Sequence, residues 1–156
     1  MKKVKYPKLS KLLRLAVKDA QAISKDERYE LNMLSWHNPR AVRNDIHCSV
    51  CLAGAVMALT LDVGIGESRT PDSFGPGSDT ALALLAIDSM RKGDFVFAAD
   101  YAALAGFSYV WEYGKRQIKA LDRAEDIVWQ NYDEYTGRAT WPAYEKAAKA
   151  LAKAGL

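Results

Sequence analysis

Cysteine and histidine are scarce in this chain, which limits the kinds of site that it can hold. Its 156 residues include two cysteines and two histidines. Two cysteines only three positions apart do not suit the disulfide frameworks that stabilise small secreted proteins. We therefore expect a protein of the cytoplasm.

Long apolar runs are also missing. The most apolar stretch, residues 50–61, is too short for a membrane span, which needs about 20 residues. The lysine-rich first residues lead into an amphipathic segment, so we expect neither a signal peptide nor a membrane partner. With 49% apolar and 26% charged residues, the chain has an ordinary soluble composition, and its length predicts a single domain over residues 1–156.

A large excess of charge of one sign is absent as well, because the formal net charge is only +3. The cations are nevertheless concentrated in residues 1–18, which contain seven lysines and arginines and no acidic residue. The first predicted helix carries four of them opposite its apolar stripe: Lys8, Lys11, Arg14 and Lys18. Such a face is suited to a phosphate backbone or an acidic protein surface, although a solvated face that aids solubility is the simpler interpretation.

Apolar residues at three- and four-residue spacing predict helices along most of the chain, and no segment indicates a strand. We predict an all-α fold, a single-domain bundle of five to six helices. Its centre is an apolar helix over residues 46–61, and residues 79–105 form a helical hairpin with a short turn at Gly93. Further helices are predicted over about residues 9–20, 109–132 and 141–151.

The segment between the central helix and the hairpin is rich in glycine and proline. Residues 62–79 hold four glycines and two prolines, so they are predicted to form a long loop, which in proteins is usually functional or disordered. The Gly64-Ile65-Gly66 sequence invites comparison with phosphate-binding loops. No Gly-Lys-Ser/Thr follows it, so a nucleotide site is not favoured.

The candidate metal ligands and reactive groups are His37, His47, Cys48 and Cys51, and three interpretations stay open. Two thiolates and two imidazoles can hold a tetrahedral zinc ion, although both histidines precede the cysteine pair, unlike in the common zinc motifs. Cys48, near the predicted start of the central helix, can instead be a redox-active or nucleophilic thiol, because the helix dipole stabilises a thiolate. The third interpretation, which we favour, is that both cysteines are buried and serve only in packing.

Aromatic residues are concentrated in the last third of the chain. Residues 109–144 contain eight of the sixteen aromatic residues. The tryptophans among them are expected to anchor the terminal helices to the core. Tyr113 and Tyr135 are candidates for an exposed patch that binds a partner.

Two short motifs resemble a group of small phage and prophage proteins of unknown function. The group has a Met-x-x-Trp sequence that precedes a small-residue helix of the form Cys-x-x-Cys-aliphatic-Ala-Gly. The matching segments here are Met33-Leu34-Ser35-Trp36 and Cys48-Ser49-Val50-Cys51-Leu52-Ala53-Gly54. The resemblance covers residues 31 to about 61, and it implies a viral origin and a bacterial host cytoplasm but no activity.

Three functions are compatible with these features. The first is a non-enzymatic helical binding module, a phage accessory protein that engages a host or defence protein through its basic first helix and its C-terminal aromatics. The second is a small zinc- or thiol-dependent enzyme centred on Cys48 and Cys51. The third is nucleic-acid binding through the basic first helix. We favour the first, because no complete catalytic constellation is evident in the sequence.

Overall fold

The computed structural model describes residues 5–156, which form six α-helices and two small β-sheets. The prediction of an all-α fold is therefore wrong, and the fold is mixed. The helices are α1 (Leu9–Ile23), α2 (Leu52–Leu59), α3 (Asp79–Arg91), α4 (Phe95–Leu104), α5 (Lys115–Gln130) and α6 (Trp141–Lys153). The strands are β1 (Tyr29–Leu31), β2 (His37–Val42), β3 (Asp45–Val50), β4 (Tyr132–Asp133) and β5 (Arg138–Ala139). Two short 3-10 helices, Pro71–Phe74 and Val110–Glu112, lie in loops.

The larger sheet is built from the stretch that joins α1 to α2. Its strand order is β1-β3-β2, with β3 parallel to β1 and antiparallel to β2. Only Arg43 and Asn44 connect β2 to β3, and Arg43 has a left-handed backbone conformation (φ 58°) that suits a tight hairpin. Pro39 fits into β2 because this is an edge strand, where a missing N–H can face away from the neighbouring strand.

The central helix is shorter than predicted. Residues 46–50, assigned to it from the sequence, lie in β3, and α2 begins only at Leu52. An apolar run without clear periodicity does not distinguish a buried strand from a buried helix, and pairing with β1 and β2 decides for the strand. The remaining helix is nevertheless the buried centre of the fold, since six of its eight residues are buried and it packs on α1, α3 and the sheet.

The helical hairpin predicted over residues 79–105 is present as α3 and α4. Each helix begins with a side-chain cap, because Ser78 accepts the N–H of Ala81 (3.2 Å) and Asp94 accepts that of Phe97 (3.3 Å). Gly93 makes the turn between them with a positive φ of 83°. Local capping signals therefore fix this part of the fold.

The C-terminal third places α6 between α1 and α5, with extensive packing on both. The helix predicted over residues 109–132 begins only at Lys115, because Val110–Glu112 forms a separate 3-10 turn. Thr140 caps α6, and Pro142 lies in its first turn, where its missing N–H does no harm. The small β4–β5 hairpin joins α5 to α6.

Tyr144 ties α6 to two other elements through its buried hydroxyl, which donates to the carbonyl oxygen of Arg91 (2.8 Å) and accepts the N–H of Ala139 (2.9 Å). Replacing Tyr144 with Phe leaves both buried backbone groups without a partner, so we expect the free energy of unfolding to fall by about 2 kcal/mol. Denaturant titration measures this loss.

Tyr6 provides the matched control. Its hydroxyl is buried and has no hydrogen-bond partner among residues 5–156. Tyr6→Phe removes a polar group that gains nothing in the fold, so the free energy of unfolding should stay the same or rise. Equal losses for the two variants would show that the Tyr144 hydroxyl does not contribute as described.

Candidate functional site

His37 and Cys48 are the two candidate residues that the structure brings into contact. The β2–β3 register pairs His37 with Val50 and Cys48 with Pro39, which makes His37 and Cys48 diagonal neighbours on one face of the sheet. The Cys48 Sγ atom lies 3.5 Å from Nδ1 and 3.7 Å from Nε2 of His37. The Nδ1 atom is 2.6 Å from the carbonyl oxygen of Glu67, in the Gly/Pro loop. A carbonyl oxygen only accepts hydrogen bonds, so Nδ1 carries the proton and Nε2 is the basic nitrogen of the neutral ring.

Burial keeps both groups of this pair neutral. Cys48 and His37 are each 1% exposed. Loss of water raises the pKa of the Cys48 thiol to about 11, and it lowers the pKa of His37 below its usual range. Nucleophilic cysteines need the thiolate form and access to substrate, and this thiol has neither. The pair therefore has the properties of a packed core contact.

The other two candidates have different surroundings. Cys51 caps α2, since its Sγ accepts the N–H of Gly54 (3.4 Å), and burial raises the pKa of its thiol to about 11. His47 precedes Cys48 in β3, so its side chain leaves the opposite face of the sheet. Among residues 5–156, no three histidine, cysteine or acidic side chains are grouped so that they could hold a metal ion. Of the four proposed zinc ligands, only His37 and Cys48 meet.

Both thiols are therefore expected to resist modification in the folded protein. At neutral pH, titration with a thiol reagent should detect none in the native state and both after denaturation. Their raised pKa values also predict that stability falls as pH rises from about 9 to 11, because the folded chain keeps two protons that the unfolded chain releases. One rapidly reacting thiol in native protein would contradict this description.

The two candidate tyrosines differ in exposure. Tyr113 is half-buried against the core, and this burial raises its pKa. Tyr135 is completely exposed and lines a cleft of about 610 Å³ between the β4–β5 hairpin and the segment after β1. Leu34, which is almost as exposed, lines the same cleft. Of the two, Tyr135 is the more accessible to a partner.

A groove between α5 and α6 is the strongest feature that sequence reasoning missed. It has a volume of about 400 Å³ and an apolar floor that includes Ala120, Ile127 and Ala150. No acidic side chain from the described residues lines it. Six exposed cations do, and we call their site the basic groove: Arg116, Lys119, Arg123, Lys146, Lys149 and Lys153.

The two rows of cations have the same spacing along their helices. Arg116, Lys119 and Arg123 follow an i, i+3, i+7 pattern, and the three lysines of α6 repeat it. Residues with this spacing share one face of a helix. The pattern was thus visible in the sequence. What the sequence did not show is that α5 and α6 pack side by side and turn these two faces toward one groove.

The cationic face predicted on α1 lies on the other side of α6 from the basic groove. Lys8, Lys11, Arg14 and Lys18 are all exposed, and α1 packs on the other side of α6. Arg14 pairs with Glu145 of α6 (3.1 Å), which lies one turn before Lys149 on the same face. Together with the six groove residues, the four α1 cations form what we call the basic face.

The comparisons with known proteins give no functional guide. Within residues 5–156, no helix combines the length and the apolar character that a membrane span requires. The chain matches no protein-family model, no curated protein and no solved structure. The resemblance to small phage and prophage proteins therefore stays a prediction from the sequence.

Proposed function

We propose that this chain is a non-catalytic protein that binds the phosphate backbone of a nucleic acid with its basic face. The basic groove carries the proposal, because none of its six cations forms an ion pair with another residue between positions 5 and 156. Two facing rows of like charge repel each other, so an anion between them lowers the electrostatic energy.

The charge distribution of α5 supports a dedicated anion surface. The helix also contains Asp122, Glu125 and Asp126, yet none of them lines the basic groove. Burial and the nearby carboxylates raise the pKa of Glu125, which indicates that the acids repel one another on their own flank. These acids therefore lie outside the groove, although Asp122 and Asp126, three residues after Lys119 and Arg123, border its row of cations on α5.

The length of the groove favours a polymer over a small anion. The cations of each row extend over seven residues, which corresponds to about 10 Å along the helix axis. The α1 cations extend the surface beyond that. A nucleic acid offers evenly spaced phosphates along such a path. The sequence predicted nucleic-acid binding through the first helix alone, and the cations of α5 and α6 enlarge that surface.

The surroundings of the cysteines support a function without catalysis. A zinc- or thiol-dependent enzyme requires thiolates that a ligand can reach, whereas the thiols of Cys48 and Cys51 are buried and have raised pKa values. The alternative centred on these residues is therefore not favoured. Binding would take place in the cytoplasm, the compartment expected from the cysteine content.

The salt dependence of nucleic-acid binding tests this proposal. We expect a labelled oligonucleotide to bind at low salt, and its affinity to fall by about 10³-fold between 50 and 200 mM salt if about six phosphates are neutralised. Fluorescence anisotropy measures both quantities. Failure to bind at the lowest salt would contradict the proposal.

An acidic polypeptide is the necessary comparison in the same experiment. Polyglutamate offers many charges but no phosphates, and its flexible side chains do not match the rows of cations as well. The proposal predicts that the oligonucleotide binds more tightly at equal charge. Tighter binding of polyglutamate would overturn it in favour of an acidic protein partner.

A protein partner is the second candidate function, and one observation favours it. Leu34 and Tyr135 are almost fully exposed and line the same cleft, which is the usual position of apolar anchors in an interface. The prediction that the chain engages a host or defence protein is tested by retention from a host lysate. A specific band should be lost with Leu34→Asp and Tyr135→Asp, and its persistence would exclude this cleft.

A further inference from the structure

The aromatic pair formed by Tyr109 and Trp111 is the starting point. Their rings are stacked, with centroids 4.3 Å apart and planes 5° from parallel, and Trp111 is 78% exposed while Tyr109 is 43% exposed. The Glu112 carboxylate accepts the N–H of Tyr109 (3.0 Å), which holds this short turn closed. One face of the indole is thus covered by tyrosine, and the rest of its surface is open to solvent.

This stacked pair precedes the basic groove directly. Arg116, in the first turn of α5, donates to the carbonyl oxygen of Lys153 and so marks the end of the groove where α5 begins and α6 ends. Trp111 lies five residues before Arg116, so at most about 18 Å of chain separates them. A strand that leaves the groove at this end and continues toward the 3-10 turn, which packs on α4, can therefore meet the open indole face.

The shape of the groove bears on the form of the nucleic acid. Packed helices have axes about 8–10 Å apart, so the space between two rows of side chains fits one sugar–phosphate backbone. In a duplex the bases are stacked on each other and offer no free face to an aromatic ring. Proteins that bind single strands combine a cationic groove with exposed aromatic side chains.

We infer that the ligand of the basic groove is a single-stranded nucleic acid, whose backbone lies between α5 and α6 and one of whose bases stacks on Trp111. The inference rests on the proposed function, because it names the form of nucleic acid that the same surface takes. It adds a contact to a base, whereas the proposed function needs contacts to phosphates only.

Three ligands with the same number of phosphates distinguish the contact to a base from the contacts to phosphates. We would measure the affinity of the protein for about 12 thymidines, for an abasic strand of the same length and for a duplex, all at one salt concentration. The thymidine strand should bind about tenfold more tightly than the abasic strand, and also more tightly than the duplex. Equal affinity for the thymidine and abasic strands, or tighter binding of the duplex, would overturn the inference. Only failure to bind all three would also contradict the proposed function.

Trp111→Ala tests the stacking contact itself. This variant should lose about tenfold in affinity for the thymidine strand and little or none for the abasic strand. Tyr135→Ala is the control, because it removes another exposed aromatic side chain that does not line the groove. Both side chains are exposed, so neither substitution should alter the fold. Unchanged affinity of Trp111→Ala for the thymidine strand would overturn the inference.

Discussion

Replacing Gly54 with alanine is expected to lower the free energy of unfolding by about 3 kcal/mol or more. Gly54 lies in the first turn of α2, packed against the segment that precedes β2. A Cβ atom at this position would lie 1.7 Å from the carbonyl oxygen of Trp36 and 2.8 Å from its carbonyl carbon. Both are backbone atoms, so the clash is relieved only if the strand or the helix moves.

The same carbonyl group makes a second contribution at this junction. It accepts the N–H of Cys51 (3.4 Å), so a shift of the Trp36 backbone would also disturb the residue that caps α2. Gly66→Ala is the control, because its Cβ would meet only the side chain of Ile46 at an ordinary distance of 3.6 Å. We expect a change within about 0.5 kcal/mol there. Similar losses for the two variants in denaturant titration would show that α2 does not pack as closely as described.

Reversing two charges in the basic groove should have the largest effect on binding. In Arg123→Glu/Lys149→Glu, one cation of each row becomes an acid. Two favourable phosphate contacts are then replaced by repulsion, so we expect the affinity for single-stranded DNA to fall by at least about 100-fold at moderate salt. The slope of log affinity against log salt should also become shallower, because fewer counterions are released on binding.

A control with the same net charge removes the general electrostatic effect. Lys25→Glu/Arg43→Glu also changes the formal net charge from +3 to −1, since each of two substitutions lowers it by two. Lys25 follows α1 and Arg43 lies in the β2–β3 turn, and neither lines the groove. We expect less than about a threefold loss for this pair, because neither residue lines the groove and salt screens the field of exposed charges elsewhere. If both double variants lose affinity equally, binding depends on net charge and not on the groove.

The sequence was sufficient to predict a helix or turn where residues close together in the chain determine it. The turn at Gly93 predicted the helical hairpin, and side-chain caps at Ser78, Asp94 and Thr140 begin α3, α4 and α6. The apolar stripe of α1 predicted that helix, although the structure extends it to Ile23. In these segments a few residues close together in the chain decide the structure.

The sheet could not be predicted in the same way, because strand pairing is a long-range property. β1 has three residues, and it is a strand only because β3 lies beside it. The contact between His37 and Cys48 depends on the register of β2 and β3, which places residues eleven positions apart next to each other. The sequence therefore indicated the residues of this pair but not their arrangement.

The residues of the basic groove could be recognised in the sequence, but the groove itself could not. Its two cation rows are regular in the sequence, but each row alone resembles an ordinary solvated helix face. The two rows form one cationic site only because α6 packs beside α5, so that both rows line the same groove.

Locating bound nucleic acid on the protein tests most directly whether the basic groove is its binding site. Amide chemical shifts of isotope-labelled protein would be followed while a thymidine strand is added. We expect the largest chemical-shift changes in residues 116–123 and 146–153 and at the indole N–H of Trp111. Changes confined to the cleft near Leu34 and Tyr135, or no changes along α5 and α6, would contradict it.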